Sequence, residues 1–176
     1  MSILQKAPDR MNMAKKYFIV LAILSLAITA AGCTTSQATV PDQYGGYLSE
    51  MNSGNTDFSL ASDHYSNASQ YFSKSGYTPA IREIKEAQKE YDQALQHYEN
   101  MSAYADREDR RAYANALQAY ARSCMYASGS YGDAYLAFQN GDSNRGNSRL
   151  KDATDYIEQA NKDHARAAAL QPNAIV

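Results

Sequence analysis

The chain has 176 residues, with 17 basic against 19 acidic side chains and a formal net charge of -2 at pH 7. Charges of both signs are interspersed, which excludes the basic stripe of a nucleic-acid binder and the polybasic patch of an electrostatic membrane binder. Four prolines and no tryptophan argue for long uninterrupted helices, and fifteen tyrosines are the compositional oddity.

The first informative segment is Asn12-Met13-Ala14-Lys15-Lys16, a charged start followed by the apolar run Tyr17 to Gly32 and ending at Cys33. A positive flank, about a dozen apolar residues and small residues before a cysteine make a secretory signal peptide over residues 1–32. If Met11 or Met13 is the true start, residues 1–10 are a mis-called start. The closing Ala30-Ala31-Gly32-Cys33 resembles the lipobox of prokaryotic lipoproteins, with Ala30 where leucine is usual. That resemblance implies thioether lipidation of Cys33, cleavage before it, and a mature chain tethered outside the cytoplasm. The outer and cytoplasmic membranes both stay open, since Thr34 lacks the Asp that resembles an inner-membrane retention signal. An uncleaved anchor is the rival, but Tyr17 to Cys33 is at the short edge of the roughly 17 to 25 residues a span needs. With Cys33 spent on lipid, Cys124 stands alone and an intrachain disulfide is excluded.

Residues 33–41 form the lipidated cysteine and a short polar tether. Apolar residues then recur at steps of four and three through Tyr47, Met51, Gly54, Phe58, Ala61, Tyr65, Ala68 and Phe72, the stripe of a helix from about Asp42 to Ser75. Gly76 reads as a C-cap, Thr78 as an N-cap and Pro79 as the first residue of a second helix. Its stripe runs Ile84, Ala87, Tyr91, Ala94, Tyr98, Met101. The phase slips near Ala105-Asp106, where Asp106 as N-cap with Glu108 and Asp109 behind it favours a corner over one continuous helix. The third stripe is Tyr113, Leu117, Tyr120, Cys124, Ala127, Tyr131, Ala134, Phe138. After a turn at residues 140–143, the fourth runs from Leu150 through Ala153, Ile157, Ala160 and His164 to Ala167, and stops before Pro172, leaving residues 172–176 as a tail.

Sliding the first half onto the second without a gap sets Tyr65, Ala68 and Phe72 on Tyr131, Ala134 and Phe138. This is the mark of a duplicated helical hairpin. In heptads the a positions are bulky and the d positions are mostly alanine, which lets antiparallel helices approach closely. The expected fold is all-α, an antiparallel up-down four-helix bundle over residues 42–171 built from two related hairpins. A tetratricopeptide-like solenoid competes, but residues 79–104 lack the break that such a helix–turn–helix repeat requires.

Motifs for chemistry are thin. No nucleophile elbow, phosphate-cradling loop, zinc spacing or haem-attachment motif occurs, so no enzyme, metal or cofactor is expected. The acids from Glu83 to Glu99 read as a solvated face. His164 falls on a seam, about level with Met51, and such a pair resembles the axial ligands of periplasmic b-type cytochrome bundles; the bland alternative is a histidine satisfied by water and tyrosines. His64 and His97 fall beside the seam, where surface histidines are ordinary. Cys124 reads as a small buried hydrophobe. Tyr71, Tyr104, Tyr135 and Tyr156 flank the stripes and suit an interaction surface. Asn67 and Asn100 match the glycosylation sequon. The function these features favour is a non-enzymatic interaction or structural module of the cell envelope, held on the membrane by its lipid and working through an envelope protein or self-association. A small-ligand or haem-binding bundle and a tetratricopeptide-like adaptor are the alternatives.

Overall fold

A computed structural model describes residues 43–175. The expected signal peptide over residues 1–32, Cys33 with its expected lipidation, and the expected tether lie outside the described residues. Among the described residues four helices follow one another: α1 (Gln43–Ser73), α2 (Tyr77–Ala103), α3 (Glu108–Gln139) and α4 (Ser143–Ala174). Among the described residues there is no strand. The helices are 31, 27, 32 and 32 residues long, without the mid-length breaks of a tetratricopeptide array. Each packs antiparallel on the next, giving the up-down bundle that the periodicity predicts.

The d-position alanines make this packing work. Ala61, Ala68, Ala87, Ala94, Ala127, Ala134, Ala153, Ala160 and Ala167 are all buried, so bulky layers from one helix settle over alanine layers of its neighbour. Gly54 extends the same logic: the Tyr98 ring lies directly on it, where a Cβ would stand 2.6 Å from a ring carbon.

The bundle is skewed. The α1 backbone reaches that of α3 over a short stretch, whereas no Cα of α1 comes within 8 Å of one in α4. Large rings fill the space between. Phe58 packs on Tyr120 at 4.6 Å, Tyr65 on Tyr131 at 5.4 Å and Phe72 on Tyr135 at 4.4 Å between ring centroids. Accordingly Phe58, Tyr65, Phe72, Tyr131, Phe138 and Leu150 are only half-buried, while the a residues between α2 and its neighbours are fully enclosed.

Both hairpin turns are the same device. After α1, Ser75 is left-handed (φ 60), and the Ser75 and Gly76 amides donate to Phe72 O and Tyr71 O. After α3, Gly141 is left-handed (φ 79), and the Gly141 and Asp142 amides donate to Phe138 O and Ala137 O. This is the Schellman pattern of crossed bonds that uses up the last helical carbonyls.

Four expected details differ. Ser75, not Gly76, takes the left-handed position, and Gly76 is instead the N-cap of α2. Thr78 does not cap: it is already helical, and its hydroxyl accepts from Gln139 Nε2 at 2.8 Å. Asp142 caps α4 by accepting from the Arg145 amide; the equivalent position before α2 has Pro79 in place of that donor, so a capping side chain there would lack this partner. The corner between α2 and α3 is real, but Arg107 is its N-cap, because the Asp106 carboxylate is taken by Arg110. Finally, α4 continues to Ala174 rather than stopping before Pro172. A proline in the last turn forgoes only one backbone bond, and the carbonyls beyond it are held by side chains from elsewhere.

Candidate interaction surface

Among the described residues, six large hydrophobic side chains remain exposed after the core is filled: Leu60, Tyr71, Tyr104, Tyr126, Leu136 and Tyr156, each 39–47% accessible. Three are expected tyrosines. The fourth, Tyr135, is a correction: it is 3% exposed and stacked on Phe72. Position 135 would flank a simple two-helix seam, but α3 packs on α2, α4 and α1 together, so its buried arc is wider than one heptad stripe. Tyr126 and Tyr156 pair across α3 and α4 at 5.4 Å, with both rings reaching solvent. Tyr104 lies over Gly46 of α1. Leu60, Tyr126 and Leu136 escaped the sequence reading because they fall outside the heptad seams; the alignment of the two halves relates Leu60 to Tyr126.

Met51 and His164 occupy different levels. Met51 is enclosed in the cluster of Tyr47, Tyr98, Met101 and Leu117. His164 packs on Tyr120 at 5.0 Å, and Tyr120 meets Phe58, one heptad beyond Met51. His164 aligns with Tyr98 of the first half, but it is half-buried where Tyr98 is enclosed. Among the described residues, no group of three or more histidine, cysteine or acidic side chains is arranged to hold a metal.

The end of the bundle where α1 begins and α4 finishes is organised by Arg110, a charged residue only 6% exposed. Its Nη1 donates to Asp106 at 2.8 and 3.0 Å and its Nε to Ala174 O at 3.1 Å. The guanidinium lies 4.1 Å from the centre of the Tyr44 ring, close enough for cation–π attraction. Arg107 donates to Asn173 O at 2.6 Å, and the Tyr44 hydroxyl to Ile175 O at 2.7 Å. Three successive carbonyls at the end of α4 are thus held by three side chains, two of them cationic, where the helix dipole favours positive charge. The clue in the sequence was positional: Arg110 stands one heptad before Leu117, on an a position.

Two histidines brace α1 against α2. His97 Nδ1 lies 2.6 Å from Glu50 and its Nε2 3.4 Å from Asp57. His64 Nδ1 lies 2.9 Å from Glu83, so Glu83 is not part of a freely solvated face. Hydrogen bonds from His64 and Arg82 hold its carboxyl below the usual range. Burial pushes the Tyr47, Tyr98, Tyr120 and Tyr135 hydroxyls up, so they stay protonated. Tyr98 donates to Asn55 Oδ1 at 2.9 Å and Tyr47 to Arg110 O at 3.2 Å. Cys124 is buried, and burial raises its thiol far above the range of a reactive thiolate. Asn67 and Asn100 are exposed on the outer faces of α1 and α2.

Among the described residues, no helix is long and apolar enough to cross a membrane. No protein-family model, curated protein or solved structure matches this chain.

Proposed function

We propose that the protein is a lipid-anchored, extracytoplasmic, non-enzymatic interaction module of the cell envelope. The observation that carries this reading is the Tyr126–Tyr156 pair, two exposed rings in contact on the outer face of α3 and α4. Tyrosine offers a large apolar body and a polar tip with few rotatable bonds, which favours its burial against a protein partner. The lipobox resemblance supplies the anchor: a diacylglyceryl cysteine at position 33 holds the chain on the membrane, and the tether gives the helical domain reach.

Crosslinking of the full lipoprotein in cells, followed by mass spectrometry, tests the reading. A stoichiometric envelope protein that is lost when Tyr126 and Tyr156 are both changed to alanine supports it. Recovery of the chain alone, or a partner indifferent to both tyrosines, removes it. Mass spectrometry of the mature N-terminus tests the anchor separately, and an internal, unmodified Cys33 excludes it.

A further inference from the structure

We propose that α1 is a releasable lid over an aromatic interior, held shut by a side-chain latch where the helix begins. Its own sequence holds it weakly. Three glycines and seven serines stand among its 31 residues, whereas α2 contains no glycine and a single serine. Both residue types favour non-helical backbone, so α1 owes its helicity to what it packs on.

That packing is one-sided. Apart from a short stretch beside α3, the α1 backbone lies against α2, meets α3 mainly through the rings of Phe58, Tyr65 and Phe72, and does not approach α4. Beside the buried apolar seam of Tyr47, Met51, Ala61 and Ala68, α1 is braced on α2 by two partly exposed polar pairs, His64–Glu83 and His97–Glu50. The remaining helices α2, α3 and α4 keep their mutual contacts when α1 leaves.

The latch sits at the first turn. Tyr44 lies on the Arg110 guanidinium and donates to Ile175 O, joining the start of α1 to the end of α4 across the seam that the backbones leave open. Beneath the lid are Tyr91 and Tyr120, both covered by Phe58, and Cys124, which packs in the same cluster as Tyr91 and Ala61 of α1. Release of α1 uncovers all three. The closed state protects the thiol, and opening makes it reactive, so Cys124 is a built-in reporter of the motion. The inference stands apart from the anchor and from the outer tyrosine pair.

The test uses the full-length protein in detergent, with hydrogen exchange read by mass spectrometry and iodoacetamide labelling of Cys124 localised to its peptide. Amides in the middle of α1 should exchange at least about tenfold faster than those in the middle of α3. Tyr44→Phe removes one oxygen and should raise both α1 exchange and Cys124 labelling about three- to tenfold while α3 stays unchanged. Equal protection of α1 and α3 overturns the lid. A Tyr44→Phe protein that labels at the original rate, or that loses protection in all four helices alike, overturns the latch.

Discussion

Ser75 and Gly141 hold the same left-handed position in equivalent turns of the two hairpins, and their amides donate to equivalent carbonyls, Phe72 O and Phe138 O. A side chain in that conformation costs roughly 1–2 kcal/mol because Cβ crowds the following carbonyl. Glycine avoids the crowding but has more freedom to lose on folding. The net expectation is that Ser75→Gly stabilises by about 0.5–1 kcal/mol and Gly141→Ser destabilises by about as much. Paired urea titrations check both, and effects of equal sign would show that the turns are not equivalent.

Gly54 reverses an ordinary rule. Replacing a mid-helix glycine by alanine stabilises by about 1 kcal/mol on propensity alone. Here the new Cβ would stand 2.6 Å from a Tyr98 ring carbon, on a ring fixed by its hydroxyl bond to Asn55. Moving a ring in a packed core costs about 1–3 kcal/mol, which outweighs the gain. Gly54→Ala should therefore lower the melting temperature, and a rise would mean that Tyr98 repacks freely.

Ala94 and Ala160 occupy equivalent d positions in α2 and α4, and both are buried. Leucine at either site overpacks the seam and should destabilise by about 1–3 kcal/mol; unchanged melting curves for both variants would refute the register. This layer was legible in the sequence because side-chain size alternates with the helical period, and periodicity survives whatever the tertiary arrangement. Three-body features did not show in that way. Tyr135 is buried because α3 has three neighbours, a fact that no single-helix pattern carries. Arg110 stands at an a position, yet its charge disguises a core role that depends on Tyr44 and Ala174, which come from opposite ends of the folded domain's sequence. Asp106 had the chemistry of an N-cap and lost that role to a guanidinium one turn later. The end of α4 was misplaced for a related reason: Pro172 is a local stop signal, and long-range donors to the carbonyls of Asn173, Ala174 and Ile175 override it.

Acid should loosen the α1–α2 seam through Glu83. Its carboxyl is held below its ordinary value of 4.5, first by the His64 hydrogen bond and then by Arg82. A carboxylate whose folded pKa is depressed stabilises the fold above its unfolded pKa, and that contribution disappears as pH falls through the folded value. The Asp106 and Asp109 carboxyls are depressed from 3.8 by Arg110 and Arg107 and act in the same direction at lower pH. Melting temperature measured from pH 6 to pH 3 should therefore fall below about pH 4.5. Glu83→Gln should lie under the wild type at pH 6 and converge on it at the acid end. Parallel curves over the whole range would detach Glu83 from the acid response.

Arg110 separates charge from shape. Lysine in its place keeps a cation near Asp106 but loses the planar group that stacks on Tyr44 while donating to Ala174 O. One hydrogen bond and one stacking contact amount to about 1–2 kcal/mol. Methionine removes the charge as well. The Asp106 side chain is 38% exposed and returns to water, so the larger penalty of an orphaned buried charge does not apply. Arg110→Met should then cost only slightly more than Arg110→Lys, about 2–3 kcal/mol in all. Urea titrations of the two variants decide the matter. A methionine variant close to lysine identifies packing and carbonyl capping as the contribution of Arg110, whereas a lysine variant as stable as the wild type would make charge alone sufficient.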